Sequence, residues 1–262
     1  MAIVITRADK RRGRNQAPRP TPVKAAALEM GLPVTERVED VLTVGADLGV
    51  VVAFGRIIKA DVLNALQLVN IHFSLLPRWR GAAPVERAIM AGDTVTGVCL
   101  MAIDEGLDTG PVYHCQSVDI GAEETASELR TRLANVGAVM LLEALRDGLG
   151  TPRPQEGEAT YAAKVELGEL HLDWSRPALE LHRVVRIGRA WTTWRGRRLL
   201  ILAAHVAPPV AGGGPGSLDG DTVATGEGGL QLVTVQPEGR APMAASDWRR
   251  GARPRPGERL GV

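Results

Sequence analysis

Residues 69–84 read VNIHFSLLPRWRGAAP, and two side chains in this stretch have the types and spacing for chemistry at a carbonyl group. Asn70 and His72 are one residue apart, so in an extended chain both project to one side while Ile71 takes the other. A carboxamide donates a hydrogen bond to an oxygen that gains negative charge, and an imidazole titrating near neutrality takes or gives a proton. The plainer reading makes Asn70 a turn residue and His72 a satisfied core histidine. A loop follows at once with Ser74, Pro77, Arg78, Arg80 and Gly81, and polar chemistry directly after a buried strand is the usual place for an α/β active site. A second loop, residues 103–110 (IDEGLDTG), sets Asp104 and Asp108 among glycines. Gly106 and Gly110 allow backbone conformations that bring a carboxylate into a cleft, although an aspartate in such a loop also serves simply as a turn residue.

The elements that must hold these loops can be read from the pattern of apolar residues. Residues 2–6 (AIVIT) form a strand, and Thr21 with Pro22 opens a helix that Gly31 ends. A short strand starts at Val34. Residues 48–54 (LGVVVAF) are almost continuously apolar, as in a parallel strand covered on both faces. Short helices are expected at 61–66 and 84–91, and strands at 97–103 and 111–118. Thr125 and Glu128 make a capping box, after which Leu129, Leu133, Val136, Met140 and Ala144 mark one face of a helix ending at Gly148. This alternation predicts a parallel α/β domain. Residues 148–158 are polar and rich in Pro and Gly; beyond them short strands at 197–206, 216–219, 223–225 and 230–236 alternate with glycine turns, which predicts a small β domain.

Composition narrows the class. A chain of 262 residues with 45% apolar and 23% charged residues can bury one large core or two modest ones, and no apolar run reaches the length of a membrane span. Cys99 and Cys115 lie in apolar strand-like runs without metal or redox spacing and read as buried reduced thiols, which favours the cytoplasm. Net charge is only +1 but unevenly placed. Residues 1–24 hold Arg7, Lys10, Arg11, Arg12, Arg14, Arg19 and Lys24 against Asp9; the chain closes with Arg249, Arg250, Arg253, Arg255 and Arg259 against Asp247 and Glu258. Two basic ends suit a polyanionic partner, while residues 7–22 also read as a solvated surface loop. Trp191 and Trp194 could stack on bases, but tryptophan in a small β domain is read first as core. No P-loop, dinucleotide fingerprint, metal cluster or internal repeat is found.

The sequence N-x-H-x-SLLPRWRGAAP followed by G-x-x-L-M-x-I-D-E-G-L-D-T-G resembles the 10-formyltetrahydrofolate-dependent formyltransferases, and PRWRGAAP resembles most the branch that formylates methionyl-tRNA. The resemblance implies a Rossmann-like parallel-sheet α/β catalytic domain at 1–148, a linker at 149–168 and an OB-like β-barrel domain that binds tRNA at 169–262. It makes Asn70, His72 and Asp108 catalytic, with Asn70 and protonated His72 steadying a tetrahedral oxyanion and Asp108 orienting His72. It assigns the folate site to Arg56, Ile57, Ile58, Ser74, Leu75, Leu76, Pro77 and Asp104; for Arg56 a plain strand-to-helix turn is an equal reading. It gives Arg11, Arg12 and Arg14 to the tRNA acceptor arm, Arg14 entering it. No metal is implied. The expected enzyme is a cytoplasmic monomer that transfers a formyl group from 10-formyltetrahydrofolate to methionyl initiator tRNA for translation initiation.

The resemblance starts at the family's second strand. Its opening strand, Gly-Thr-Pro turn and first helix, roughly 30 residues on the supersecondary scale, have no counterpart here, so the catalytic domain is expected to be N-terminally incomplete with strand edges left open. Two alternatives therefore stand beside the first: a formyltransferase acting on a nucleotide-linked amino sugar, and an inactive truncated copy that keeps only RNA binding.

Overall fold

The computed structural model describes residues 1–9, 11, 17–56, 58–210, 212–255 and 257–262. The chain divides into two units: Met1–His72 with Cys99–Cys115 and Val139–Gly157, and Phe73–Val98 with Gln116–Ala138 and Glu158–Val262.

In the first unit Val4–Ile5 (β1) pairs in parallel with Val34–Thr35 (β2), and Pro22–Glu29 (α1) lies between them in sequence. Thr21 caps α1 as its sequence dictates: the Oγ1 accepts from Lys24 N at 3.1 Å, and proline follows at the first helical position. A 3-10 turn at Val38–Thr43 leads to Leu48–Val51 (β3), then Ala60–Ala65 (α2) and Gln67–His72 (β4). β3 and β4 run parallel, with Val51 opposite Asn70. β3 is shorter than its apolar run and is not covered on both faces: it is the end strand of its sheet, and Val50 and Val52 are exposed.

The second unit opens with Arg80–Gly81 (β5) and Pro84–Ala91 (α3). Val95–Ala102 (β6) and Val112–Asp119 (β7) follow in sequence, their residues 99–102 and 112–115 belonging to the first unit, in a sheet ordered β3-β4-β6-β7. The expected parallel pairing is present at β1/β2 and β3/β4, but β4 meets β6 antiparallel, with Asn70 opposite Met101 and His72 opposite Cys99. β6 and β7 are also antiparallel: Ala102 N donates to Pro111 O and Ile120 N to Thr94 O. The short link between them allows nothing else, since a parallel return needs a crossover of a dozen or more residues.

That hairpin corrects the reading of the cysteines. Cys99 and Cys115 face each other across β6 and β7 with Cα atoms 4.2 Å apart and are joined in a disulfide, so they are not free thiols. The sequence shows two cysteines in two strands; only the register shows that they are opposite.

Ala126–Asp147 (α4) begins at the predicted capping box, with Thr125 N donating to Glu128 Oε2 at 2.9 Å and Glu128 N to Thr125 Oγ1 at 3.3 Å. Leu129, Leu133, Met140 and Ala144 are buried along its one apolar face. Tyr161–Ala162 (β8) then pairs in parallel with β5, within residues expected to be linker.

The chain ends in a β-rich region. Ala178–Ile187 (α5), Ala190–Trp194 (β9), Arg197–Ala207 (β10), Leu218–Asp219 (β11), Thr222–Ala224 (β12), Gly229–Pro237 (β13) and Met243–Ala244 (β14) precede Ala245–Ala252 (α6). The strands form an antiparallel sheet ordered β11-β12-β13-β10-β9, with β14 also on β13. Leu172, Leu181, Leu199, Ile201, Leu230 and Val235 fill its core. Trp191 and Trp194 pack partly against that core, as expected, while Arg198 lies over Trp191 at 4.4 Å and Arg195 over Trp194 at 4.8 Å.

Candidate active site

β4 is the element that sets the geometry. Its alternation places Asn70 and His72 on one face, and its pairing with β6 fixes their height in the sheet. His72 is buried, 5% exposed, and its Nδ1 lies 3.6 Å from Asp108 Oδ2, an ion-pair distance when the ring is protonated. Asn70 is half-buried, and its side-chain amide makes no hydrogen bond among the described residues. A carboxamide held in this way on a rigid strand is available to donate to something else, since a half-buried polar group is costly to leave unpaired.

Asp108 reaches His72 from the second loop, with φ at +50°. The loop is tied from inside by Asp104, whose Oδ1 accepts from Gly106 N at 3.0 Å and from Thr109 Oγ1 at 2.6 Å. It is seated on β6 by Gly110, where an added Cβ would lie 1.9 Å from Ala102 O. The glycines are thus explained by close approach, and Asp104 by the shape of the loop: its carboxylate is exposed and already engaged.

The other sequence-predicted residues fall in several settings. In the first unit, Arg56 donates to Glu36 O at 3.2 Å and lies 5.7 Å from the Phe54 ring, while Ile58 packs beside Val62, Leu66 and Leu68. Ile57, Arg12 and Arg14 lie outside the described residues; Arg11 is exposed. Lys24, at the edge of the basic segment, is held by Asp9 at 2.8 Å and Glu36 at 3.3 Å, and the hydrogen bond to Asp9 raises its pKa above the ordinary lysine value. The arm therefore offers less free positive charge than its composition suggests.

In the second unit, Ser74 is fully buried and its Oγ donates to Arg78 O at 2.5 Å, closing the turn that contains the cis Leu76–Pro77 bond. Leu75 packs on Gly97, where an added Cβ would meet its Cδ2 at 2.5 Å. Ser74 and Leu75 thus shape the loop, and Leu76 and Pro77 are half-buried in it. Asp93 holds the arginine-rich part: Arg78 donates to it twice, at 2.6 and 2.9 Å, and Trp79 Nε1 at 2.8 Å. Those hydrogen bonds raise the Arg78 pKa against the opposing effect of burial. Trp79 N donates to Thr160 Oγ1 at 2.9 Å. Sequence reasoning passed over Asp93, Gln155 and Thr160, which lie far from the motifs in sequence and carry no local signal.

Comparison with known proteins places this chain in a family. The formyl transferase family model matches residues 1–145, and the model of the formyl transferase C-terminal domain matches residues 164–253. The chain belongs to the formyl transferase family. Among curated members, the methionyl-tRNA formyltransferase of Cereibacter sphaeroides is 45% identical over 257 residues, covering 91% of this chain and 84% of its own. Among solved structures, HypX from Aquifex aeolicus in complex with tetrahydrofolic acid has a TM-score of 0.65 at 18% identity, covering 87% of this chain and 44% of that one. The N-formyltransferase from Helicobacter canadensis, in complex with folinic acid and dTDP-3-aminofucose, has a TM-score of 0.64 at 16% identity, covering 81% of each chain. At those identities the two structures show the fold alone. No described helix is long and apolar enough to cross a membrane.

Proposed function

We propose that this formyl transferase moves a formyl group from 10-formyltetrahydrofolate to the amino group of methionyl initiator tRNA, and so serves translation initiation. The observation that carries the reading is the site on β4, where the Asn70 amide stands beside a His72–Asp108 pair, in a chain 45% identical over most of its length to a methionyl-tRNA formyltransferase. The donor set fits a formyl donor: the carboxamide matches a carbonyl oxygen, and the imidazole matches an amine that must lose a proton. When bound, the folate supplies the formyl carbon.

Asn70 donates its amide hydrogen to the formyl oxygen, where negative charge grows as the amine attacks. His72 turns Nδ1 toward Asp108 and, when protonated, steadies the same oxyanion; the attacking amine gives up one proton, the folate nitrogen that leaves takes one, and the His72–Asp108 pair helps to move them. Asp108 fixes the orientation of the ring. Arg56, Ile57, Ile58, Leu75, Leu76, Pro77 and the neighbouring Ser74 and Asp104 are proposed to frame the folate. Ser74 and Asp104 do so through the loops they shape. Arg11, Arg12 and Arg14 are proposed to bind phosphates, and residues 169–262 to form an OB-like domain that shares the RNA.

We place the enzyme in the cytoplasm as a monomer, with domains at 1–148 and 169–262. The cytoplasmic assignment now rests on the proposed acceptor, because a disulfide at Cys99–Cys115 removes the argument from free thiols. The test is direct: the purified chain is given formyl donor with either charged initiator tRNA or a dTDP-linked amino sugar. Formylation of the tRNA supports the proposal. Formylation of the sugar alone replaces it, and RNA binding without formylation of either identifies an inactive RNA-binding copy.

A further inference from the structure

Residues 149–168 read as a polar linker, yet Gln155 there makes two bonds to the loop that carries Asp108. Its Nε2 donates to Asp108 O at 2.8 Å and to Gly110 O at 2.8 Å. A primary amide has two N–H groups, so one nitrogen spans both carbonyls and fixes the spacing of the carbonyls of Asp108 and Gly110, the residues on either side of Thr109. Arg153, two residues earlier, exchanges backbone hydrogen bonds with Val112 at 2.8 Å each way, which registers this segment against β7. The loop has little apolar burial to hold it from outside. Glu105 is exposed and Leu107 is 63% exposed.

We propose that Gln155 is a positioning residue for Asp108, acting through the loop backbone on the carboxylate that faces His72. This role rests on the catalytic part given to Asp108 under Proposed function. The Asp108 carbonyl that Gln155 grips is on the same residue as the carboxylate, so turning that peptide moves Oδ2 relative to His72 Nδ1, which it meets at 3.6 Å. A shift of about 1 Å in a reacting group costs on the order of 100-fold in rate. Because the loop leaves its large apolar side chain exposed, losing the two bonds should change position more than global stability.

Gln155→Met keeps the length of the side chain and removes the donor; Gln155→Glu keeps the shape and turns acceptor oxygens toward two carbonyls. Both are assayed for kcat and KM with formyl donor and methionyl-tRNA, with thermal unfolding as a check on folding. The expected result is a kcat about 10- to 100-fold lower in Gln155→Met and lower still in Gln155→Glu, with both KM values within about 2-fold. Combined with Asp108→Asn, Gln155→Met should add nothing to the loss from Asp108→Asn alone, because a residue that acts through the carboxylate has no effect once the carboxylate is gone. Wild-type kcat in Gln155→Met, or losses that multiply in the double variant, overturns the inference while leaving Asp108 catalytic. Wild-type kcat in Asp108→Asn overturns the catalytic reading itself, and the inference with it.

Discussion

At the scale of single residues, the proposed site rests on three side chains whose identities were visible in the sequence and whose relation was only half visible. Period two places Asn70 and His72 on one face without any structure. The distance of His72 from Asp108, which lies 36 residues later by their numbers, is a tertiary fact that the family resemblance supplied and spacing could not. On the proposed roles, Asn70→Ala, which would lose the donor to the developing oxyanion, is expected to lower kcat by about 10²- to 10³-fold, and His72→Ala, which would lose the proton carrier, by about 10²- to 10⁴-fold. Steady-state kinetics with charged tRNA measures both, and a variant at wild-type turnover leaves the mechanism. Ser74 gives the opposite expectation from its sequence reading. Its hydroxyl is buried and closes a turn on Arg78 O, so Ser74→Ala should disturb the loop and raise KM for the formyl donor without removing a direct folate bond. A Kd for folate that is unchanged while kcat collapses would instead put the hydroxyl in the chemistry.

At the scale of elements, helices with caps and strands with plain alternation were legible. α1 opens at Thr21-Pro22 and α4 at Thr125 with Glu128, because a cap is a local bond between near neighbours. Pairing was not legible, because it joins residues that no local rule connects; hence the antiparallel β6/β7 and the cysteine bridge came only with the structure. A digest made without reductant should yield the residues around Cys99 and Cys115 as one linked peptide by mass spectrometry. Cys115→Ser should lower the unfolding free energy by about 3 kcal/mol for a loop of this length. Recovery of both cysteines as alkylated thiols from unreduced protein would restore the sequence reading.

α5 was missed in the sequence and carries a pH dependence. His182 is buried on it and meets Glu123 Oε2 at 3.2 Å, which His205 also meets at 3.0 Å. Burial holds His182 below the ordinary histidine pKa, with Arg186 acting in the same direction and Glu123 against it. Burial also pulls Glu123 upward, but the hydrogen bond from His205 and the nearby His182 leave its pKa below the usual carboxylate value. A histidine with a depressed folded pKa takes up its proton more readily unfolded, so its contribution is lost as pH falls from about 6.5, well before Glu123 begins to titrate. The melting temperature should therefore drop as pH falls through about 6.5, and His182→Gln should flatten that slope. A slope equal to wild type in His182→Gln removes His182 as its source.

For the whole molecule, charge distribution decides which acceptor the chain suits. Net charge is near zero, and Lys24 is already paired with Asp9 and Glu36, so the proposed attraction to RNA falls to other basic residues, Arg11, Arg12 and Arg14 among them. Neutralising Arg11, Arg12 and Arg14 together should weaken tRNA binding and reduce the log-log salt slope by about 0.9 for each duplex phosphate no longer neutralised. Folate affinity should stay as it is. Binding and slope that survive the triple substitution would favour a smaller, sugar-nucleotide acceptor.

The bond from Trp79 N to Thr160 spans 81 residues, and β5 waits in the same way for Tyr161–Ala162. Chains emerge from the ribosome at about 5–20 residues per second, so the arginine-rich loop stays without these partners for roughly 4 to 16 s during synthesis. Strand β4 and Asp93, which holds Arg78 and Trp79, are made long before Thr160 and β8, the loop's later partners. Nascent chains halted shortly after residue 148 would then be expected to leave that loop open to proteolysis, whereas chains long enough for residues 160–162 to clear the ribosome would protect it.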